Sequence, residues 1–250
     1  PAGAAELARL RASLSANSKH KEAIGLVRGD AELGESALAQ ANDLLGRARE
    51  LAMSGANGTL DADQRAAMAL EVRGLKEELI RVANTKGTKG YIFAGSITSQ
   101  KAFDATGNFL GDDVQQSVDI GSGSPIQAGA SGARAFTAAG GRDVFADLDA
   151  LALALDSNNA ANVSATLDGL ESSQKQLGNE RSRLGLLLGR LDTSTAVLEQ
   201  LELDGARRQE QVGAADPFEA YSRMNSLSGA LERSVAVSKQ IFDLTGIARF

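Results

Sequence analysis

Apolar residues recur every seventh position along the first part of the chain, at Ile24, Ala31, Leu38, Leu45 and Ala52. Val27, Gly34, Ala41 and Ala48 fill a second seam between them. This 3-4 alternation puts one apolar stripe on a long α-helix, and the small residues of the second seam let a neighbouring helix come close. Leu7, Leu10 and Leu14 show the same spacing, which Asn17 and Lys21 interrupt. The stripe stops at Ser54-Gly55-Ala56-Asn57-Gly58. Asp61 then predicts an N-cap with Gln64 as its capping-box partner. Met68, Val72, Leu75, Leu79 and Val82 carry a second helix as far as Thr85-Lys86-Gly87. Two long helices joined by a short loop predict an antiparallel hairpin.

The second half mirrors the first. Val144, Leu148, Leu151 and Leu155 predict a helix that starts near Asp143 and breaks at Asp156-Ser157-Asn158-Asn159. A longer helix follows, bearing Val163, Leu167, Leu170, Leu177, Leu184, Leu187, Leu191, Leu198 and Leu201. Its pattern loosens at Gly213-Ala214-Ala215-Asp216-Pro217, where a hinge is expected. A last amphipathic helix follows, with Met224, Leu227, Leu231, Val235, Ile241 and Phe242 on its stripe and Phe218 and Tyr221 ahead of them. Such a stripe requires a partner, on its own bundle or on other subunits. Between the helical flanks, 11 of the 27 glycines fall within the 56 positions 87–142. Short alternations such as Ser117-Val118-Asp119-Ile120, and the turn Thr106-Gly107-Asn108, predict β-hairpins there. The expected fold is mainly α: an elongated antiparallel helical bundle or coiled coil with a small β-hairpin-rich insertion. Its segments are 1–90, 91–140, 141–215 and a terminal helix 216–250.

Composition narrows the chemistry. The 250 residues suffice for a real core, but aromatics are 4% and Trp is absent, which predicts a thin aliphatic core. The net charge of −6 disfavours a sequence-independent grip on nucleic acid. With no Cys there is no disulfide, thiolate catalysis or thiolate metal site. No apolar run is long enough to span a bilayer and no cleavable signal pattern opens the chain, so membrane insertion is not expected. Because the sequence opens at Pro1 inside a helical pattern, a natural segment ahead of it is expected to be missing.

Recognisable catalytic patterns are wanting. His20, the single histidine, stands between Lys19 and Lys21 without a neighbouring carboxylate to orient it as a triad base. No phosphate-cradling Gly-x-x-x-x-Gly-Lys-Ser/Thr occurs. Gly121-Ser122-Gly123-Ser124-Pro125-Ile126 lacks the third glycine of a dinucleotide fingerprint and opens no helix, so it reads as a turn. The pairs Glu77-Glu78 and Asp112-Asp113 lack the ligand spacing of a calcium loop. Asn57-Gly58-Thr59 and Asn162-Val163-Ser164 match the short glycosylation sequon. Arg207-Arg208 and the Lys19 to Lys21 patch have no interleaved aromatics for base stacking. Neither an enzyme nor a cofactor or metal is expected.

The stretch Arg47-Ala48-Arg49-Glu50-Leu51-Ala52-Met53-Ser54-Gly55-Ala56-Asn57-Gly58-Thr59-Leu60 resembles the N-terminal signature of the flagellin superfamily. The resemblance continues through Asp63-Gln64-Arg65, Glu71-Val72, Leu75 and Val82-Ala83-Asn84-Thr85. Beyond it, Gly90-Tyr91-Ile92-Phe93-Ala94-Gly95-Ser96, Phe103 and Asn108-Phe109-Leu110-Gly111-Asp112 resemble the hook-associated protein 3 family, the flagellar hook–filament junction proteins. Two departures stand out: Ala102 where that family has Pro, and Phe109-Leu110 in place of its Tyr-x step. The signature residues taken from the resemblance are Ala56, Asn57, Gly58, Thr59, Tyr91, Phe93, Gly95, Gly111 and Asp112.

The resemblance implies a secreted structural subunit, exported through the flagellar type III channel, that sits at the hook–filament junction. Its implied partners are hook-associated protein 1, flagellin, a cytoplasmic export chaperone and further copies of itself in a helical array. Met224, Leu227, Leu231, Val235, Ile241 and Phe242 are the expected assembly interface, on a segment expected to be disordered before assembly. The alternatives are a minor flagellin that forms filament and a helical tip or translocator protein of a non-flagellar injection system.

Overall fold

The computed structural model describes residues 2–121, 123 and 125–246, with the backbone alone at 2, 213–220 and 241–246. The mainly α expectation holds. The elements run α1 (Ala2–Gly55), α2 (Ala62–Ala83), β1 (Lys86–Gly87), β2 (Gly90–Tyr91), β3 (Gln116–Val118), β4 (Ile126–Ala128) and α3 (Gly132–Phe136). A 3-10 turn at Ala138–Gly140 follows, then α4 (Val144–Asp156), α5 (Ala160–Ala165) and α6 (Leu167–Gly246). The chain forms two compact units, Pro1–Ser18 with Leu198–Phe250, and Lys19–Val197.

In the larger unit the seams of α1 are buried as their spacing requires: Ala31, Leu38, Ala41, Leu45, Ala48 and Ala52 expose nothing. Facing them, α6 buries Leu170, Leu177, Leu184 and Leu191. The two helices run antiparallel, with Arg28 paired to Asp192, Glu35 to Arg181 and Arg49 to Glu171. These ion pairs are largely exposed and add little; the leucines, at roughly 1.5–3 kcal/mol each on full burial, hold the pair together. The glycine in the seam earns its place by distance. A Cβ at Gly34 would lie 3.1 Å from Leu184 Cδ1 and 3.3 Å from Ala130 Cβ.

Asp61 caps α2 through the expected capping box with Gln64. Arg47 reaches Glu71 at 2.8 Å, which closes the α1–α2 hairpin. On its other side α2 packs against α4, with Lys76 bound to Asp149 at 2.6 Å and Arg73 paired to Asp156. Asp143 accepts from the N–H groups of Phe145 and Ala146 and so caps α4 at its expected start.

Three expectations need correction. First, α6 runs unbroken from Leu167 to Gly246, so the backbone has no hinge at 213–217. Second, Asn159 caps a separate short helix, α5, and Val163 belongs to it rather than to α6. Third, the core is not wholly aliphatic. Phe93, Phe103, Phe109, Phe136 and Phe145 meet in one cluster within the insertion and its flank, with ring centroids 5.1–5.9 Å apart. Phe93, Phe103, Phe109 and Phe136 fall within the glycine-rich segment of the sequence, but the low overall aromatic content gave no sign that they meet.

Two antiparallel hairpins lie in the glycine-rich segment. Lys86 pairs with Tyr91 across β1–β2, and Ser117 with Gln127 across β3–β4. Residues 122 and 124 of the Gly121–Ile126 turn lie outside the described residues.

Candidate functional site

The signature loop after α1 is organised by one side chain. Arg65 is 4% exposed, yet it meets no carboxylate. Its Nε donates to Gly55 O at 2.9 Å, Nη1 to Leu60 O at 2.8 Å and Nη2 to Asn57 O at 2.7 Å. It also donates to Asn158 Oδ1, from the loop between α4 and α5. The desolvation of a buried guanidinium is thus offset by a ring of oxygen acceptors that a turn of any other shape would not offer. Asn57 shapes the same turn. Its Oδ1 accepts from Thr59 N–H at 3.1 Å and from the Thr59 hydroxyl at 3.0 Å. Ala56 is half-buried, and Asn57, Gly58 and Thr59 are exposed.

The second signature is a clamp between two glycine-bearing turns. Asp112 Oδ1 accepts from Ser96 N–H at 2.7 Å and from Val114 N–H at 3.1 Å, and Oδ2 accepts from the Ser96 hydroxyl. The Ser96 hydroxyl above all holds the Asp112 carboxyl below the ordinary carboxylate range. Gly95 has φ +70°, and a Cβ there would lie 2.1 Å from Asp112 O. A Cβ at Gly111 would lie 2.6 Å from Ala94 O. Each glycine is therefore required by contact with the other strand of the clamp. Phe93 is fully buried in the aromatic cluster and Tyr91 lies under the Lys86 ammonium, 4.8 Å from its ring centre.

The clamp opens onto a cleft that brings Tyr91, Gly95 and Asp112 together with Leu26 and Asp30 of α1. Nearby, Thr106-Gly107-Asn108 forms the expected turn, its amides and hydroxyl gathered on Asp104, whose carboxyl is pushed well down by the Thr106 hydroxyl and then Asn108. His20 stands beside the Asp119 carbonyl at 3.4 Å, with the Asp119 carboxylate 4.0 Å away.

Sequence reasoning missed the polar residues that fix the insertion to α6. Gln176 Nε2 donates to Ala135 O, Thr137 O and Arg142 O at 3.0–3.1 Å, while its Oε1 accepts from Arg142 N–H at 2.8 Å. Glu180 accepts from Ser131 N–H and from Arg183, both at 2.8 Å. Asp147 binds Arg142 and Ser173. All three carboxyl or amide groups are on helices whose sequence shows only polar residues at seam-adjacent positions, a signal too weak to separate them from a solvated face.

The expected assembly residues sit elsewhere, on the part of α6 that belongs to the smaller unit. Met224 is 60% exposed, Leu227 69%, Leu231 68% and Val235 61%. Tyr221 and Val237 are exposed beside them. The side chains of Ile241 and Phe242 lie outside the described residues. Among the described residues no cluster of three acidic or histidine side chains could hold a metal, and no helix is long and apolar enough to cross a membrane.

Paired long helices flanking a small β-bearing insertion, with the Arg65-centred turn at one end of α1, define a flagellin-like helical subunit. Residues 1–98 match the sequence model of the bacterial flagellin N-terminal helical region. Flagellar hook-associated protein 3 of Salmonella typhimurium is 29% identical over 234 residues, spanning 84% of this chain and 73% of that protein. Flagellin of Halalkalibacterium halodurans is 26% identical over 239 residues, 93% of this chain and 77% of that protein. The fold is shared with the crystal structure of Xanthomonas campestris FlgL, with a TM-score of 0.71 at 19% identity, covering 80% of this chain and 99% of that one. The chain is therefore similar to hook-associated protein 3 over most of its length and to the flagellin N-terminal region over its first 98 residues, and like them it is a structural protein of the flagellum.

Proposed function

We propose that this subunit is the adapter on which flagellin polymerises at the end of the hook, and that it acts without catalysis. Hook-associated protein 1 lies on its hook side and flagellin on its filament side. It leaves the cell through the flagellar export channel, escorted beforehand by a cytoplasmic chaperone. The observation that carries this reading is the row Met224, Leu227, Leu231 and Val235. Four apolar side chains at helical spacing, each more than half exposed, leave a stripe that neighbouring subunits would bury. In this reading the segment 216–250 gains its contacts only on assembly, and its ordering is offset by the burial of that stripe. Heterologous contacts between copies that do not close on themselves generate a helical array. The absence of Cys suits passage of an unfolded chain through a narrow channel, since no disulfide can form before export.

Deleting the gene, imaging the cell surface by electron microscopy and blotting the medium for flagellin tests the reading. Intact hooks without filaments, with unpolymerised flagellin in the medium, are expected, because export continues while the seat for polymerisation is missing. Normal filaments would overturn it and favour a minor flagellin, a reading that the 26% identity to the flagellin of Halalkalibacterium halodurans supports.

A further inference from the structure

Asn57 is the single asparagine in the sequence that is followed by glycine. Both residues are exposed, and a Cβ at Gly58 would meet nothing within 4 Å. No side chain beyond its neighbours crowds the Cα of Gly58, whose backbone nitrogen follows the Asn57 residue directly in the chain. The Asn57 side-chain oxygen already carries two donors, Thr59 N–H at 3.1 Å and the Thr59 hydroxyl at 3.0 Å. Both would stabilise negative charge developing on Oδ1, in the manner of an oxyanion hole. On the main chain, Asn57 O is pinned by Arg65 Nη2 at 2.7 Å, which holds the turn in place while its side chain stays outside.

We infer that Asn57-Gly58 is a site of spontaneous self-modification, with water as the co-reactant. The Gly58 nitrogen gives its proton to solvent base and bonds to Asn57 Cγ, sending the carbonyl electron pair onto Oδ1 beneath the two Thr59 donors. Collapse of that intermediate breaks the Cγ–Nδ2 bond, and Nδ2 takes up one proton, matching the one given up by Gly58, and leaves as ammonia. Water then opens the cyclic imide at either carbonyl. One opening gives aspartate at 57. The other gives its isomer, in which the main chain runs through the former side chain. The net change is one water consumed and one ammonia released. Either product places a carboxylate in a loop that folded around a neutral amide. In the isomer the main chain also gains a carbon, and the former Asn57 main-chain carbonyl, which accepts from Arg65, becomes the free carboxylate while Leu60 O stays in the main chain.

The purified full chain, held in mildly alkaline buffer at body temperature and sampled over days, is digested and its peptides weighed. Isoaspartate is scored separately by enzymatic methyl transfer. Peptides containing residue 57 should gain the mass difference between an amide and an acid before any other asparagine does. Gly58→Ala should slow this by roughly tenfold or more; the open space around Gly58 lets the variant fold, so its rate reads the chemistry. Thr59→Val should slow it by roughly tenfold, below what one such donor contributes in a dry enzyme site, and Thr59→Ser should restore the rate. Earlier modification at another asparagine, or an Asn57 still intact when other asparagines have changed, overturns the inference. So does acceleration by Thr59→Val, which would make the turn a brake instead.

Discussion

Arg65 determines the shape of the signature turn through bonds that no other residue type could make together. Three backbone carbonyls and one side-chain amide converge on a single planar guanidinium, and a lysine at this position would satisfy them with a point charge at the wrong reach. Arg65→Ala is expected to lower stability by about 3 kcal/mol, since it leaves buried carbonyls without donors. A thermal or denaturant melt reads this directly, and a midpoint equal to that of the parent would contradict the assignment. The residue was visible in the sequence only as part of the Asp63-Gln64-Arg65 match. Nothing in an exposed-looking Asp-Gln-Arg run announces burial, because the acceptors lie on a loop ten residues away and, through Asn158, 93 residues away. Gln176, Glu180 and Asp147 escaped notice for the same reason: their partners are 26–49 residues distant in sequence for the bonds that pin the insertion. Local chemistry, by contrast, was legible at the Asp61–Gln64 cap and at the start of α4 near Asp143, though not at the Asn159 cap of α5.

Elements were legible wherever a repeating apolar position dictated them. The α1 seams and Leu170, Leu177, Leu184 and Leu191 of α6 are buried where their spacing places them, since a seven-residue period leaves a helix no other face to bury. What misled was local punctuation. The Gly-Ala-Ala-Asp-Pro stretch weakens a helix, but helix formation is cooperative and the long flanks carry α6 across it. The insertion was legible as short hairpins and turns, but its aromatic cluster was not, because the five rings come from three separate stretches. The close approach of α1 and α6 gives the prediction at this scale. Gly34→Val would set methyl groups against Leu184 and Ala130, where even a Cβ has 3.1–3.3 Å. Overpacking of this kind should cost about 1–3 kcal/mol. A Gly34→Val melt as high as the parent's would show that the helices can part without penalty.

At the scale of the whole molecule, the two compact units divide the work: the larger holds the buried core and both signatures, and the smaller carries the apolar stripe. Leu231→Asp tests that division. Leu231 is 68% exposed, so the substitution should leave the melt within about 0.5–1 kcal/mol of the parent. Incorporation into flagella in the cell should nevertheless be blocked. A melt lowered as far as by a core truncation, or normal incorporation, would count against the stripe as an assembly surface. The same division makes the protein its own optical instrument. It has no tryptophan and two tyrosines: Tyr91, under Lys86 in the larger unit, and Tyr221, exposed in the smaller. Replacing either one with phenylalanine leaves a single native tyrosine, so the melting of one unit and the assembly of the other can be watched separately, in unlabelled protein, by the intensity and polarisation of one phenol.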